Sequence, residues 1–440
     1  MTNRVVFCTL LLLSAAPVFA QVQMIEPTPT PVKVVVTNNL PAPKPATPRP
    51  TPTPIIVGGS QNPASVIPSV PAAPMTAGPS ATTSVQTATV PASTGIENLK
   101  FNSLGFRDLK NKIAEAKRYM QTRPLTTAAV SSPMAGESVR IAFNDSRTGD
   151  IDYVVISKQA FLSVKDEKLA TSEAGKSLRI RTIRGNGVNT PIVIVNDRGE
   201  TNLPLLVQYP VVREGKYYET AYYHSTHPGL ITPEVVNAGR LYVRNVIEIA
   251  RDRLKARGIT VTPKIADIAE RLATVEHVDH LRFRTEPHNK IYDDIFTLYA
   301  LNEGQTYRYS VSSAGAGGMV QMIPSTYRMV RSWHPNVPLK PDFVEGMRDH
   351  VNATEAMLLY MNRTWNDLIA SPTVSQAYSS GIATQEQLMA AGYNSNPARI
   401  AGYINRAGEN WTNLIPRETK IYLQIYDSLE RFVPMSPRTR

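Results

Sequence analysis

The sequence predicts a multidomain chain, a small all-β domain followed by a mainly α domain, set behind an export signal and a proline-rich linker. Three observations carry this. Residues 137–225 alternate β-rich runs with turn sequences. From 232 onward, apolar residues recur at helical spacing behind capping residues. Before both lies a stretch whose composition cannot support a core. The expected boundaries are 1–20 signal peptide, 21–95 linker, 96–136 amphipathic helix and connector, 137–230 β-rich accessory domain and 231–440 helical domain.

Residues 1–20 have the layout of a secretory signal. Arg4 is basic, Val5 to Leu13 is the apolar centre, and Val18-Phe19-Ala20 offers a small-residue cleavage site. The apolar run is short for a membrane span, so no transmembrane segment is expected after cleavage. The only cysteine, Cys8, falls inside this segment. The mature chain therefore has no thiol for a disulfide or a cysteine-bound metal. An exported chain of this kind fits a bacterial periplasm or cell envelope. Residues 21–95 hold 16 of the 35 prolines, which makes them extended spacer sequence, either a tether or a passive linker.

In 96–136, Leu104, Leu109, Ile113, Ala116 and Met120 recur at helical spacing, interleaved with Lys110, Lys112, Lys117 and Arg118. That helix is expected to pack on the next domain, with docking on an anionic surface as the alternative. In the β region, Val139–Phe143, Ile151–Ile156, Leu178–Arg181, Ile192–Val195 and Leu205–Val207 are the expected strands. Asp145–Gly149, Arg184–Gly187, Asn196–Gly199 and Arg213–Lys216 are the turns. Tyr217, Tyr218, Tyr222 and Tyr223 form an aromatic cluster. It is read as alternation on a strand with half the rings buried, or as a sugar-stacking face.

Thr232-Pro233 and Thr262-Pro263 each pair a cap with a first-turn proline, and Pro324, Pro341 and Pro416 open later helices. His224/His227 and His277/His280 lack a third ligand set by sequence, so no metal is expected. Glu276 and Asp279, beside the second pair, read as ordinary surface polarity. The chain carries a net charge of +11, or about +8 once Arg4 and the linker charges Glu26, Lys33, Lys44 and Arg49 are set aside. A basic surface attracts polyanions such as an anionic cell wall. Export and the lack of a basic motif with interleaved aromatics argue against nucleic acid.

The stretch of greatest chemical interest is 303–326, EGQTYRYSVSSAGAGGMVQMIPST. Apolar residues at 291, 292, 295, 296, 298, 299 and 301 predict a helix with a wide buried face. Gly304 then suits the left-handed position beyond its end. Glu303 at that end would sit among orphan carbonyls and the negative end of the dipole, a setting that favours a protonated carboxyl. Such a group can act as a general acid, although a solvated glutamate at a frayed helix end has the same local sequence.

Glu303, Ser312, Gly315-Ala316, Gly318-Met319-Val320-Gln321 and Pro324-Ser325-Thr326 stand in one register. Tyr393-Asn394 and Pro416-Arg417-Glu418-Thr419-Lys420-Ile421-Tyr422 follow in order. In these three blocks the chain resembles the soluble lytic transglycosylase catalytic domain, which is related to goose-type lysozyme. The resemblance covers roughly the last 200 residues and implies a lysozyme-like fold. It departs from the pattern at Gly304, where the family has serine, at Thr306, and at Ser395-Asn396. It implies cleavage of the β-1,4 bond between N-acetylmuramic acid and N-acetylglucosamine in peptidoglycan strands, with a 1,6-anhydro product. Glu303 would be the single general acid and base. By register, Ser312, Gln321, Gly392 and Tyr393 would line the site, with Glu418 and Tyr422 as scaffold. No metal or organic cofactor is implied. The alternatives are a peptidoglycan-binding scaffold with little or no turnover, and a lysozyme-like hydrolase. The β domain is left open for an envelope protein partner.

Overall fold

The computed structural model describes residues 103–439, apart from 124, 126–136, 214, 225–226 and 305–313. The expected signal, Cys8, the linker and Ser312 lie outside the described residues.

The first element is α1 (Phe106–Thr122). Leu109, Ile113, Ala116 and Met120 are buried on one face, as their spacing requires. They join Tyr153, Leu203 and Leu205 of the following sheet in one apolar cluster. The amphipathic helix is thus a packed element, lying against the sheet and also against Val235, Ala300 and Leu301.

Seven strands follow: β1 (Ser138–Asn144), β2 (Ile151–Ser157), β3 (Lys168–Thr171), β4 (Ser177–Thr182), β5 (Ile192–Asn196), β6 (Thr201–Arg213) and β7 (Lys216–Tyr223). A short helix, α2 (Lys158–Leu162), lies between β2 and β3. All pairings are antiparallel, in the order β2-β1-β6-β5-β4-β3, with β7 added along β6. A bridge between Val154 and Ser172 links β2 to the end of β3 and curls the sheet into a barrel-like form. The 13-residue β6 is shared out along its length among β5, β1 and β7.

The expected turns have a visible cause. Asp145 Oδ1 accepts from the amides of Arg147 and Thr148, and Asn196 Oδ1 from those of Arg198 and Glu200. Each Asx side chain thereby replaces a backbone partner and reverses the chain. β3 was not among the expected strands. β7 proved to be the tyrosine cluster, with Tyr217 and Tyr218 exposed and Tyr223 fully buried.

The remainder is helical: α3 (Pro233–Lys255), α4 (Pro263–Val275), α5 (His280–Thr285), α6 (His288–Leu301), α7 (Pro324–Trp333), α8 (Phe343–Arg348), α9 (His350–Ile369), α10 (Pro372–Ser379), α11 (Gln385–Asn394), α12 (Ile400–Ala407) and α13 (Arg417–Phe432). Thr232 and Thr262 cap α3 and α4 through their hydroxyls, with proline at the first turn of each. Helices α3 and α6 touch so closely that a Cβ on Gly239 would fall 1.9 Å from the carbonyl oxygen of Phe296. Only glycine permits that approach.

Helix α4 is the centre of this half. Every residue from Ile265 to Val275 is buried. Its three charged residues in that span are all paired. Arg438 bonds Asp267 and Glu270, and Arg271 bonds Glu430. A helix enclosed on all sides has little freedom to shift, so whatever stands at its end is held in place. Among the described residues, no helix is long and apolar enough to cross a membrane.

Candidate active site

The first turn beyond α4 carries Glu276. Its amide still bonds back to Leu272 O, and Asp279 starts the next helix by capping α5 with its carboxylate. Glu276 is therefore fixed at the exit of the most enclosed helix in the chain. Its side chain opens on a cleft of about 220 Å³, lined also by Gln321, Thr326, Tyr360, Tyr393 and Asn394.

Each wall has a local reason for its shape. The Gly315–Gln321 loop is a sequence of tight turns. Gly315 and Gly318 have φ of +75° and +72°. A Cβ on Gly318 would lie 2.5 Å from Met347 O, so both its dihedral and its packing exclude a side chain. Gly317 donates to Met322 O and closes the loop. Gln321 has φ +46°, the only left-handed non-glycine residue among those described. Its amide nitrogen bonds Gly318 O at 2.8 Å. Strain of this kind persists where surrounding structure over-determines it, often at working sites. The loop is tied to the end of α4: His277 and Met319 O are 2.9 Å apart, and the Tyr299 hydroxyl, which donates to Ala273 O at 2.6 Å, also reaches Met319 O at 3.4 Å.

The far wall is α11, started by a full capping box at Thr384 and Gln387. Its last turn presents Tyr393, whose hydroxyl donates to Val320 O at 2.7 Å. Thr419 of α13 bonds the Asn394 side chain at 2.8 Å. That bond sets α13 so that Tyr422 donates to Glu276 Oε1 at 2.6 Å.

The electrostatics of Glu276 follow from this enclosure. Burial pushes its carboxyl up to about 8, and the negative charge of Glu418, one helical turn before Tyr422, pushes the same way. The Tyr422 hydrogen bond acts in the opposite direction by stabilising the carboxylate. Tyr393 is raised well above an ordinary tyrosine, first by burial and then by Glu276. At neutral pH the cleft thus holds one carboxylic acid with its proton retained.

The sequence-predicted residues divide. Gln321 and Tyr393 meet across the cleft. Gly392 lies behind Tyr393 in the same helix, packed on Pro397 at a distance that leaves little room for a methyl group. Glu303 lies elsewhere. It stands two residues past α6, is about half exposed, does not line this cleft, and pairs with Lys110 of α1 at 2.7 Å. Gly304 has the expected left-handed backbone, φ +76°. The buried residue at that helix end is Asn302, which bonds the backbone of His224.

Glu276, expected as surface polarity, is instead the acidic group of the cleft. Nothing local in the sequence signals it: Lys264, Asp267, Glu270 and Arg271 give the preceding helix a polar face, and only tertiary ion pairs enclose it. The histidines expected in pairs serve separate structural contacts: His277 on Met319, and His227 accepting from Gly229 N. Among the described residues no group of three or more His, Cys, Asp or Glu is placed to hold a metal.

Comparison with protein-family models, curated proteins and solved structures finds no match.

Proposed function

We propose that the chain cleaves the β-1,4 linkage between N-acetylmuramic acid and N-acetylglucosamine in peptidoglycan, with Glu276 as its single general acid and base. The observation that carries this reading is the enclosed Glu276 carboxyl, hydrogen-bonded by Tyr422 and facing a cleft bounded by Gln321 and Tyr393. The resemblance of 303–326, 393–394 and 416–422 to lytic transglycosylases supplies the substrate class. The acid proposed here differs from the one that register alone suggests, because burial favours Glu276 over the half-exposed Glu303.

The chemistry needs one proton moved twice. Glu276 gives its proton to the glycosidic oxygen as the C1–O4 bond breaks. The resulting carboxylate takes the proton of the muramoyl 6-hydroxyl as O6 bonds to C1. The 1,6-anhydro ring closes and the acid is restored without water. Tyr422 supports the carboxylate between the two transfers. With no second carboxylate required at the anomeric centre, the substrate's own acetamido oxygen can stabilise the positive charge there. Gln321 has its nitrogen engaged by Gly318 O, which leaves its side-chain oxygen to accept from an acetamido N–H.

The test is digestion of purified peptidoglycan by the full chain, with products separated by mass. Anhydro-muropeptides support the reading. Reducing-end products two hydrogens and one oxygen heavier indicate a hydrolase instead. Binding with no product indicates a scaffold.

A further inference from the structure

Tyr360 and Ser395 stand at one end of the acid cleft's lining. Both residues also line a second cavity of about 570 Å³, walled by α7, α9, α10 and the segment after α11. Its volume is within the roughly 300–1,000 Å³ of small-ligand sites. Trp333 at the end of α7 and Tyr360 of α9 present nearly parallel rings, 3° apart in plane and 6.5 Å between centroids. Leu368, Val374 and Pro397 add apolar surface, and Thr364 and Ser371 supply hydroxyls. Its one carboxylate, Asp367, is paired at 3.0 Å with Arg363, whose guanidinium lies 5.5 Å from the centroid of the Trp333 ring. Apolar ring faces with a few neutral hydroxyls match an uncharged acetamido sugar, which has a C–H face and a polar edge.

We propose that this cavity is a second sugar-binding compartment, in which Trp333 and Tyr360 hold the glycan strand on one side of the bond that Glu276 cleaves. The proposal rests on the function above and adds where the strand runs and which residues make the site prefer a polymer to a short fragment. Tyr360 and Ser395, common to both walls, set the two cavities side by side, which is what directs the strand there.

The experiment uses the full chain carrying Glu276→Gln, titrated calorimetrically with β-1,4-linked N-acetylglucosamine oligomers from disaccharide to hexasaccharide. Affinity is expected to rise by about tenfold once the oligomer is long enough to pass Tyr360. Adding Trp333→Ala should abolish that gain and leave disaccharide binding unchanged, and Trp333→Phe should restore most of it. Affinity independent of length overturns the compartment and leaves the acid cleft standing. So does a Trp333→Ala loss that is equal for disaccharide and hexasaccharide. Failure of every oligomer to bind overturns both.

Discussion

Glu276 and Glu303 each follow the last turn of an apolar helix, yet they live in opposite surroundings. Glu276 leaves α4, a helix buried on every side, and meets Tyr422 in a cleft. Glu303 leaves α6 at the surface of the domain, one residue beyond the buried Asn302, and meets Lys110 in partial solvent. The helix dipole and the orphan carbonyls are common to both ends. Those local effects amount to a fraction of a kcal/mol up to about 1 kcal/mol when exposed. Desolvation in an enclosed site shifts a carboxyl by several times that. Tertiary enclosure, more than position on a helix, therefore raises the Glu276 carboxyl.

The largest test of that contrast is a pair of substitutions. Glu276→Gln should lower kcat/KM on peptidoglycan by about a thousandfold, the usual scale of a lost general acid. Glu303→Gln should leave it within about twofold. A thousandfold loss at Glu303 with little effect at Glu276 would return the acid to the position that register suggests.

Next in size is Gly318→Ala. Its left-handed backbone and the 2.5 Å approach to Met347 O should together cost about 2–3 kcal/mol in a denaturant melt. Stability at Glu276 should also depend on pH. A carboxyl raised in the folded state favours folding below its unfolded value, and that advantage is lost as pH rises from 4.5 to about 8. Glu276→Gln escapes the loss. It should equal the wild type at low pH and exceed it by on the order of 5 kcal/mol above pH 8.

Smaller effects sharpen the electrostatic account. The rate should fall as pH climbs through the Glu276 titration. Removing a neighbouring negative charge with Glu418→Gln should move that limb to lower pH. Removing a carboxylate-stabilising bond with Tyr422→Phe should move it to higher pH. Opposite signs from two residues one turn apart on α13 are the readout, measured as kcat/KM against pH. Smallest of all, Lys110→Ala should change stability by no more than about 0.5 kcal/mol, since its partner Glu303 is half exposed.

Much of the fold was legible in the chain. Alternation and Asx turns marked β1, β2, β4 and β5 to within about a residue. Thr-Pro pairs marked the starts of α3 and α4. β3 was missed because Lys168–Thr171 is short and half exposed, without a buried face to impose a pattern. Pro204 and Pro210 hid the full length of β6, which accommodates them where its pairing shifts or meets an edge strand. At the site, the register of Gln321 and Tyr393 was readable because loop and helix are each continuous in sequence. The acid was not. Glu276 reaches them only after α5 and α6 are folded away, so its distance along the chain from Gln321 conceals its neighbourhood in space.

The most direct test of the central claim is the carboxyl signal of Glu276 itself, followed by carbon NMR in protein labelled at the glutamate side-chain carboxyl and assigned by its loss in Glu276→Gln. A titration midpoint near 8, with the Glu276 proton still in place at pH 7, is the result expected. A Glu276 signal already fully ionised by pH 6 would contradict the account.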